Sequence, residues 1–263
     1  MGELEQMSNN LRSIIPNLVV VDQEPSPSTF NCTACQDAGW VRREEGATVS
    51  YVECGVCANV AERRSARYFR NAKIPARFGS CTFESYPYAP ETKDAVASLL
   101  RWCSPGIARE DEEAWDAWVD WHKEGVFLYG PYGSGKTGLM VSMLHALNDR
   151  SMLFLRTPEL LDAIRATYNR GSEATEQEVI DAAKRVEILA LDDLGAERPT
   201  EWAREKLFDI INYRHDALMD TLFTSNLSLE DLAEHIGERT TWRIQEMCVV
   251  VHVDGPNLRV RGS

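Results

Sequence analysis

Eight consecutive residues carry the most specific chemistry in the chain. Gly130-Pro131-Tyr132-Gly133-Ser134-Gly135-Lys136-Thr137 fits G-x-x-x-x-G-K-[ST], and Gly138 follows it. The glycines let backbone N–H groups turn inward around phosphate oxygens. Lys136 is placed to reach the β- and γ-phosphates of a nucleoside triphosphate, and the Thr137 hydroxyl to coordinate magnesium. The motif needs a strand before it and a helix after it. The apolar run Val126-Phe127-Leu128-Tyr129 precedes it, and a helical pattern runs from Leu139 through Leu147. The expected ligand is ATP, held by residues 130–138 with the positive end of a helix dipole at its phosphates.

A second acidic motif supplies what hydrolysis requires. Val186-Glu187-Ile188-Leu189-Ala190-Leu191 runs into Asp192-Asp193. An apolar strand ending in two carboxylates, downstream of a phosphate loop, is the Walker B arrangement. Asp192 is assigned to the magnesium and Asp193 to polarising the attacking water. Adjacent residues of an extended chain point to opposite sides, which lets the two roles be split. The strand Thr221-Leu222-Phe223-Thr224 leads into Ser225-Asn226, and the Asn226 amide can reach a γ-phosphate or the water. Taken alone, a Ser-Asn pair after a strand is an ordinary turn.

These residues need a frame that brings distant strand ends together. Five short apolar segments read as buried strands: Val126–Tyr129, Met152–Leu155, Ile188–Leu191, Thr221–Thr224 and Cys248–Val253. Helical segments fill the gaps, so the expected fold class is α/β, a parallel sheet flanked by helices. Thr157 before Pro158 reads as an N-cap, and Ser228 with Asp231 as a capping pair.

The segment before this body holds a separate pattern. Cys32-Thr33-Ala34-Cys35 and Cys54-Gly55-Val56-Cys57 are separated by 18 residues. That fits C-x₂-C-x₁₅₋₂₀-C-x₂-C, a closed site of four thiolates for structural zinc. A redox pair and an iron–sulfur cluster are the alternatives. Trp40, Val41, Val49, Tyr51 and Val52 read as a small hairpin covering the metal. Beyond it, Arg63, Arg64, Arg67, Arg70, Lys73 and Arg77 form a basic stretch with Tyr68 and Phe69 among them. It either tracks a nucleic-acid backbone or packs on the acidic segment around Glu110–Glu124. Trp115, Trp118 and Trp121 in that segment are spaced as a core-facing helix stripe. Cys81, Cys103 and Cys248 read as small buried apolar residues.

Composition bounds the setting. The chain has 263 residues, a formal net charge of -13 and 44% hydrophobic residues. No apolar run reaches the roughly 18 residues a bilayer span needs, and Met1-Gly2-Glu3-Leu4-Glu5 lacks the features of a signal peptide. A cytoplasmic protein with no membrane partner is expected. The acidic balance excludes coating nucleic acid by bulk charge. Three parts are expected: an N-terminal arm and linker over 1–31, with Leu4, Met7, Leu11 and Ile14 on one helical stripe; a cysteine module and basic helix over 32–78; and an ATPase domain over 79–263.

The ordered set of motifs resembles a known group. Asp192-Asp193-Leu194-Gly195-Ala196-Glu197, Thr200-Glu201-Trp202, Thr224-Ser225-Asn226-Leu227, Gly237-Glu238-Arg239 and Arg243 are similar to the DnaC/DnaI/IstB group of AAA+ ATPases, nearest its bacterial and phage replicative-helicase loaders. The resemblance covers roughly 70–260. It implies that Asn226 is sensor 1 and that Arg243 is an arginine finger reaching a neighbouring subunit's ATP, with Arg239 supporting it. It also implies that Arg259 senses nucleotide. A surface salt bridge is the alternative role for each arginine. Only ten residues follow the last expected strand, so the C-terminal helical lid of most AAA+ modules is not expected, as in this group.

The implied function is ATP-controlled loading of a replicative helicase onto DNA, single-stranded for preference, by a self-associating protein. The runner-up is a transposition ATPase of the IstB kind, acting with a transposase on double-stranded DNA. A small-molecule kinase would need a substrate cradle and lid that the sequence does not display. A binding module with a decayed site would not need Lys136, Thr137, Asp192 and Asp193 all intact.

Overall fold

The computed structural model describes residues 40–45, 48–53, 72–87, 89–103, 123–148, 150–169 and 174–258. The first two ranges form an antiparallel hairpin, β1 (Trp40–Glu45) and β2 (Thr48–Glu53), with Trp40 opposite Glu53 and Glu45 opposite Thr48. A hairpin between the cysteine pairs matches the expectation from Trp40, Val41, Val49, Tyr51 and Val52. The cysteines themselves lie outside the described residues. So do the arm over 1–31, the basic residues 63–70, the segment 104–122 with its three tryptophans, and Arg259.

The larger body is built on five parallel strands. They are β3 (Gly125–Tyr129), β4 (Met152–Arg156), β5 (Ile188–Leu194), β6 (Thr221–Ser225) and β7 (Cys248–His252), in the order β4-β5-β6-β3-β7. Each coincides with a segment expected from sequence, within a few residues at the ends. Helix α1 (Lys93–Cys103) precedes β3, and the crossovers run through α2 (Lys136–Ala146), α3 (Thr157–Ala166), α4 (Glu176–Arg185), α5 (Glu201–Asp216), α6 (Leu229–Ile236) and α7 (Glu238–Met247).

Alternation along the strands divides the core into two layers. Phe127, Leu153, Leu155, Leu189, Leu191 and Phe223 pack against α3 to α7 on one face. Val126, Leu128, Phe154, Ile188, Ala190 and Leu222 pack against α1 and α2 on the other. Burial on both faces is why the strands read as continuous apolar runs and not as alternating ones. No helix among the described residues is long and apolar enough to cross a membrane.

Helix starts follow local side-chain chemistry, with one correction. Ser228 accepts from the Asp231 N–H at 3.2 Å and caps α6 as expected. Thr175 and Glu178 form a reciprocal box at the start of α4. Thr157 is not a cap: it is the first residue of α3, and Arg156 occupies the cap position in extended conformation. Its hydroxyl instead donates to the Asp192 carbonyl at 3.2 Å, tying α3 to the end of β5. Of the three remaining cysteines, Cys248 is buried as expected, whereas Cys81 and Cys103 are only partly buried. Burial still pushes the Cys103 thiol up to about 12.

Candidate functional site

Strand order explains how the two acidic residues meet the phosphate loop. β6 lies between β3 and β5, so the loop after β3, the acids ending β5 and Asn226 after β6 emerge side by side at one edge of the sheet. Ligands of open parallel sheets bind at this carboxyl edge.

The loop itself is held by close packing. Gly135 adopts φ 93° immediately before α2, and a Cβ there would lie 2.5 Å from the Tyr86 hydroxyl. Gly130 has φ 147°, and a Cβ there would overlap the Val253 carbonyl. Only glycine fits both positions. Tyr86 Oη donates to the Ser134 carbonyl at 3.1 Å, and the Leu258 N–H donates to the Gly133 carbonyl at 2.9 Å. The Ser134 hydroxyl is buried with no hydrogen-bond partner among the described residues. Tyr132, by contrast, is 72% exposed.

Lys136 sits at the first residue of α2 and is buried. Its ammonium donates to the Gly130 carbonyl at 2.8 Å, the Pro131 carbonyl at 2.8 Å and Asn226 Oδ1 at 2.9 Å. The expected phosphate-binding lysine and the expected sensor asparagine are thus in direct contact. Gly133, Gly135, Lys136, Thr137, Gly138, Asp193 and Asn226 line one cleft. Its other wall is Phe78, Cys81, Tyr86, Pro87 and Leu258, from outside the motifs. An apolar wall beside a polar phosphate end suits a purine nucleotide. Sequence reasoning missed this wall, because no motif marks residues 78–87.

Asp192 is 1% exposed. Its Oδ1 accepts from the Thr137 hydroxyl at 2.8 Å and from the Thr224 hydroxyl at 2.7 Å. Burial pushes this carboxyl up from its ordinary range, and the Thr224 hydrogen bond pulls it back. A hard cation prefers oxygen donors and would compensate a buried carboxylate, so the Thr137–Asp192 pair fits magnesium. Among the described residues there is no cluster of three or more His, Cys, Asp or Glu placed to hold a metal. A site of one hydroxyl and one carboxylate, completed by phosphate oxygens, would not form such a cluster.

The two acids are separated differently from the expectation. Asp193 does not continue the extended chain; it has φ 57°, in the left-handed region. Leu191 pairs with Phe223 and Leu194 with Ser225, so Asp192 and Asp193 together oppose Thr224. This is a β-bulge, a feature that re-aims a side chain next to a site. Aspartate tolerates the left-handed conformation better than most residues.

The two arginines of α7 have partners within the chain. Arg243 Nε donates to Asn212 Oδ1 at 3.1 Å and Nη1 pairs with Glu246 at 3.1 Å. The Arg239 guanidinium lies over the Phe208 ring, 5.3 Å from its centroid. Both sit on one helix and touch α5, and Trp242 between them is 66% exposed.

Comparison with known proteins agrees with this geometry. The family model described as "IstB-like ATP binding protein" matches residues 56–263. The replicative helicase loader DnaI of Bacillus subtilis (strain 168) is 29% identical over 151 residues, covering 52% of this chain and 48% of DnaI. The chain therefore aligns with only about half of DnaI's length. The phage-like element PBSX protein XkdC of the same organism is 25% identical over 252 residues, 93% of this chain and 90% of XkdC. A crystal structure of the DnaC helicase loader superposes with a TM-score of 0.56 at 25% identity, covering 68% of this chain and 100% of that one. With its phosphate loop, paired acids and five-stranded parallel sheet, the chain belongs to the IstB-like ATP-binding protein family and is an AAA+ ATPase of the DnaC/IstB type.

Proposed function

We propose that this protein is an ATP-dependent loader of a replicative DNA helicase, in which nucleotide state controls assembly. The observation that carries the reading is the motif set over 130–243, borne on a fold shared with a helicase loader, in a chain similar to DnaI. Lys136 and the loop N–H groups hold the phosphates. Thr137 and Asp192 would hold magnesium, which neutralises phosphate charge when bound. Asp193 orients and polarises the attacking water, and Asn226 leaves Lys136 to contact the γ-phosphate or that water. Arg243, supported by Arg239, completes the site of a neighbouring subunit, and Arg259 responds to nucleotide. The protein works in the cytoplasm, with a body over 79–263 and an arm and cysteine module ahead of it.

The deciding experiment mixes the purified protein with the host's replicative helicase, ATP and DNA. The expected result is an ATP-dependent complex, with slow hydrolysis that rises with helicase and single-stranded DNA. Arg243→Ala should keep ATP affinity within about threefold and lose roughly tenfold or more of the stimulated rate. A protein that neither binds the helicase nor changes its loading sinks the reading. The IstB-type alternative is favoured by the family description itself. It predicts stimulation by double-stranded DNA and capture of a transposase instead.

The cysteine module is proposed to hold one structural zinc through Cys32, Cys35, Cys54 and Cys57. One equivalent of zinc per chain in the purified protein, lost in Cys32→Ser, is the expected outcome. Iron with visible absorbance, or no metal at all, counts against it.

A further inference from the structure

The bulge that re-aims Asp193 has an unusual closure. At a bulge, one residue of the longer strand loses its ladder partner and the local pairing is disrupted. Here a single side chain fills the gap. The Thr224 hydroxyl donates to Asp192 Oδ1 at 2.7 Å and accepts from the Asp193 N–H at 3.0 Å. Thr224 is 0% exposed and lies at the centre of the sheet, where its backbone also pairs with Leu128 of the phosphate-loop strand. The hydroxyl's single donor and one of its two acceptor lone pairs are therefore spent on the two acids.

We propose that Thr224 is a positioning residue for ATP hydrolysis, whose hydroxyl holds the Asp192 carboxylate at its metal-facing angle and the Asp193 backbone in its left-handed turn. This rests on the roles given above to Asp192 and Asp193. Two consequences follow from the geometry. Without the donor, one lone pair of Asp192 Oδ1 is freed, and among the described residues the Thr137 hydroxyl is the one remaining hydrogen-bond donor to that carboxylate. Without the acceptor, the Asp193 N–H is left with no described partner, and the left-handed conformation of a non-glycine residue loses its anchor. The nucleotide's phosphates are held mainly by other groups, the loop N–H groups and Lys136. Thr224 thus acts on turnover and on magnesium far more than on nucleotide affinity.

The test compares Thr224→Val, which keeps shape and removes the hydroxyl, with Thr224→Ser, which keeps the hydroxyl. Three quantities are measured: kcat, the affinity for a fluorescent ATP analogue without magnesium, and the magnesium concentration that half-saturates the change in that analogue's signal. Thr224→Val is expected to lower kcat roughly 10- to 100-fold, raise the magnesium midpoint about threefold or more, and leave magnesium-free nucleotide affinity within about threefold. Thr224→Ser recovers most of both losses. Wild-type turnover and an unshifted magnesium midpoint in a folded Thr224→Val protein would overturn the proposal, as would a serine variant no better than valine. If valine disturbs the strand, Thr224→Ala is read in the same way. Loss of cooperative melting in both would assign the hydroxyl to stability alone and equally overturn it. Asp193→Asn separates this proposal from the one beneath it. A dead Asp193→Asn with a normal Thr224→Val refutes only the positioning role, whereas an active Asp193→Asn refutes the assignment of Asp193 itself.

Discussion

Lys136→Ala is expected to weaken ATP binding by roughly a hundredfold or more. Removing one partner of a buried, hydrogen-bonded charge pair costs about 2–5 kcal/mol, and each 1.4 kcal/mol is about tenfold in affinity. Lys136, only 6% exposed, would meet that condition against a phosphate oxygen. Its ammonium is bonded to two loop carbonyls and Asn226, so the loop is organised around a positive charge. Phosphate oxygens arriving in the cleft replace these acceptors with stronger, ionised ones. A second effect accompanies the first. Alanine leaves the Gly130 and Pro131 carbonyls without this donor, so the nucleotide-free variant should also melt at a lower temperature. Calorimetric titration and a melting curve with and without ATP measure both. At a hundredfold excess over Kd, ATP should stabilise the native protein by about 2.7 kcal/mol, and the variant hardly at all. ATP affinity in Lys136→Ala within about threefold of the native value would show that the loop N–H groups alone hold the phosphates.

The parts of this site that sequence reveals are those built by local geometry. A glycine-rich turn between strand and helix is fixed by neighbours in the chain, so Gly130 through Thr137 announce themselves. The five strands are legible because burial on both faces leaves short unbroken apolar runs. Asp192 and Asp193 are legible as a pair, but not their separation. An extended chain would split them by alternation, whereas the structure splits them by a bulge that exists only because β6 supplies one residue against two. That count depends on strand pairing, which the sequence of β5 alone does not contain. Tyr86 and Leu258 were silent for the same reason. They reach the phosphate loop across 48 residues of sequence in one case and from beyond β7, the strand beside β3, in the other. Thr224 left no distinguishing trace, since β6 also begins with Thr221 and ends with Ser225. The expected roles of Arg239 and Arg243 came from resemblance, and their contacts with α5 were invisible to it.

Arg214 left no trace at all, and the largest loss of stability is expected there. It is 0% exposed in the last turn of α5. Its guanidinium donates from Nε to Thr221 Oγ1 at 2.9 Å, and from Nη1 to the carbonyls of Ala183, Lys184 and Val186 at 3.1, 3.0 and 2.8 Å. Nη2 donates to the carbonyls of Glu187 and Asp220 at 3.2 and 2.6 Å. One planar fork thus caps the carbonyl end of α4 and fastens the starts of β5 and β6. Burial draws its pKa down to about 9, and the Asp220 carboxylate opposes that shift, so the group remains a cation at neutral pH. A buried ion can sometimes be replaced by an apolar side chain without loss, when its partners are replaced with it. That route is closed here because five of the acceptors are backbone carbonyls, which no substitution removes. Arg214→Met should therefore lose about 3–5 kcal/mol of stability. Arg214→Lys should recover only a minor part, since an ammonium has three donors and no fork. Urea denaturation gives both values. The ATP affinity of the folded fraction should stay within about threefold, because the residues Arg214 fastens begin the strands whose far ends carry the site. A methionine variant within about 1 kcal/mol of the native protein would mean that water or rearranged backbone satisfies those carbonyls instead.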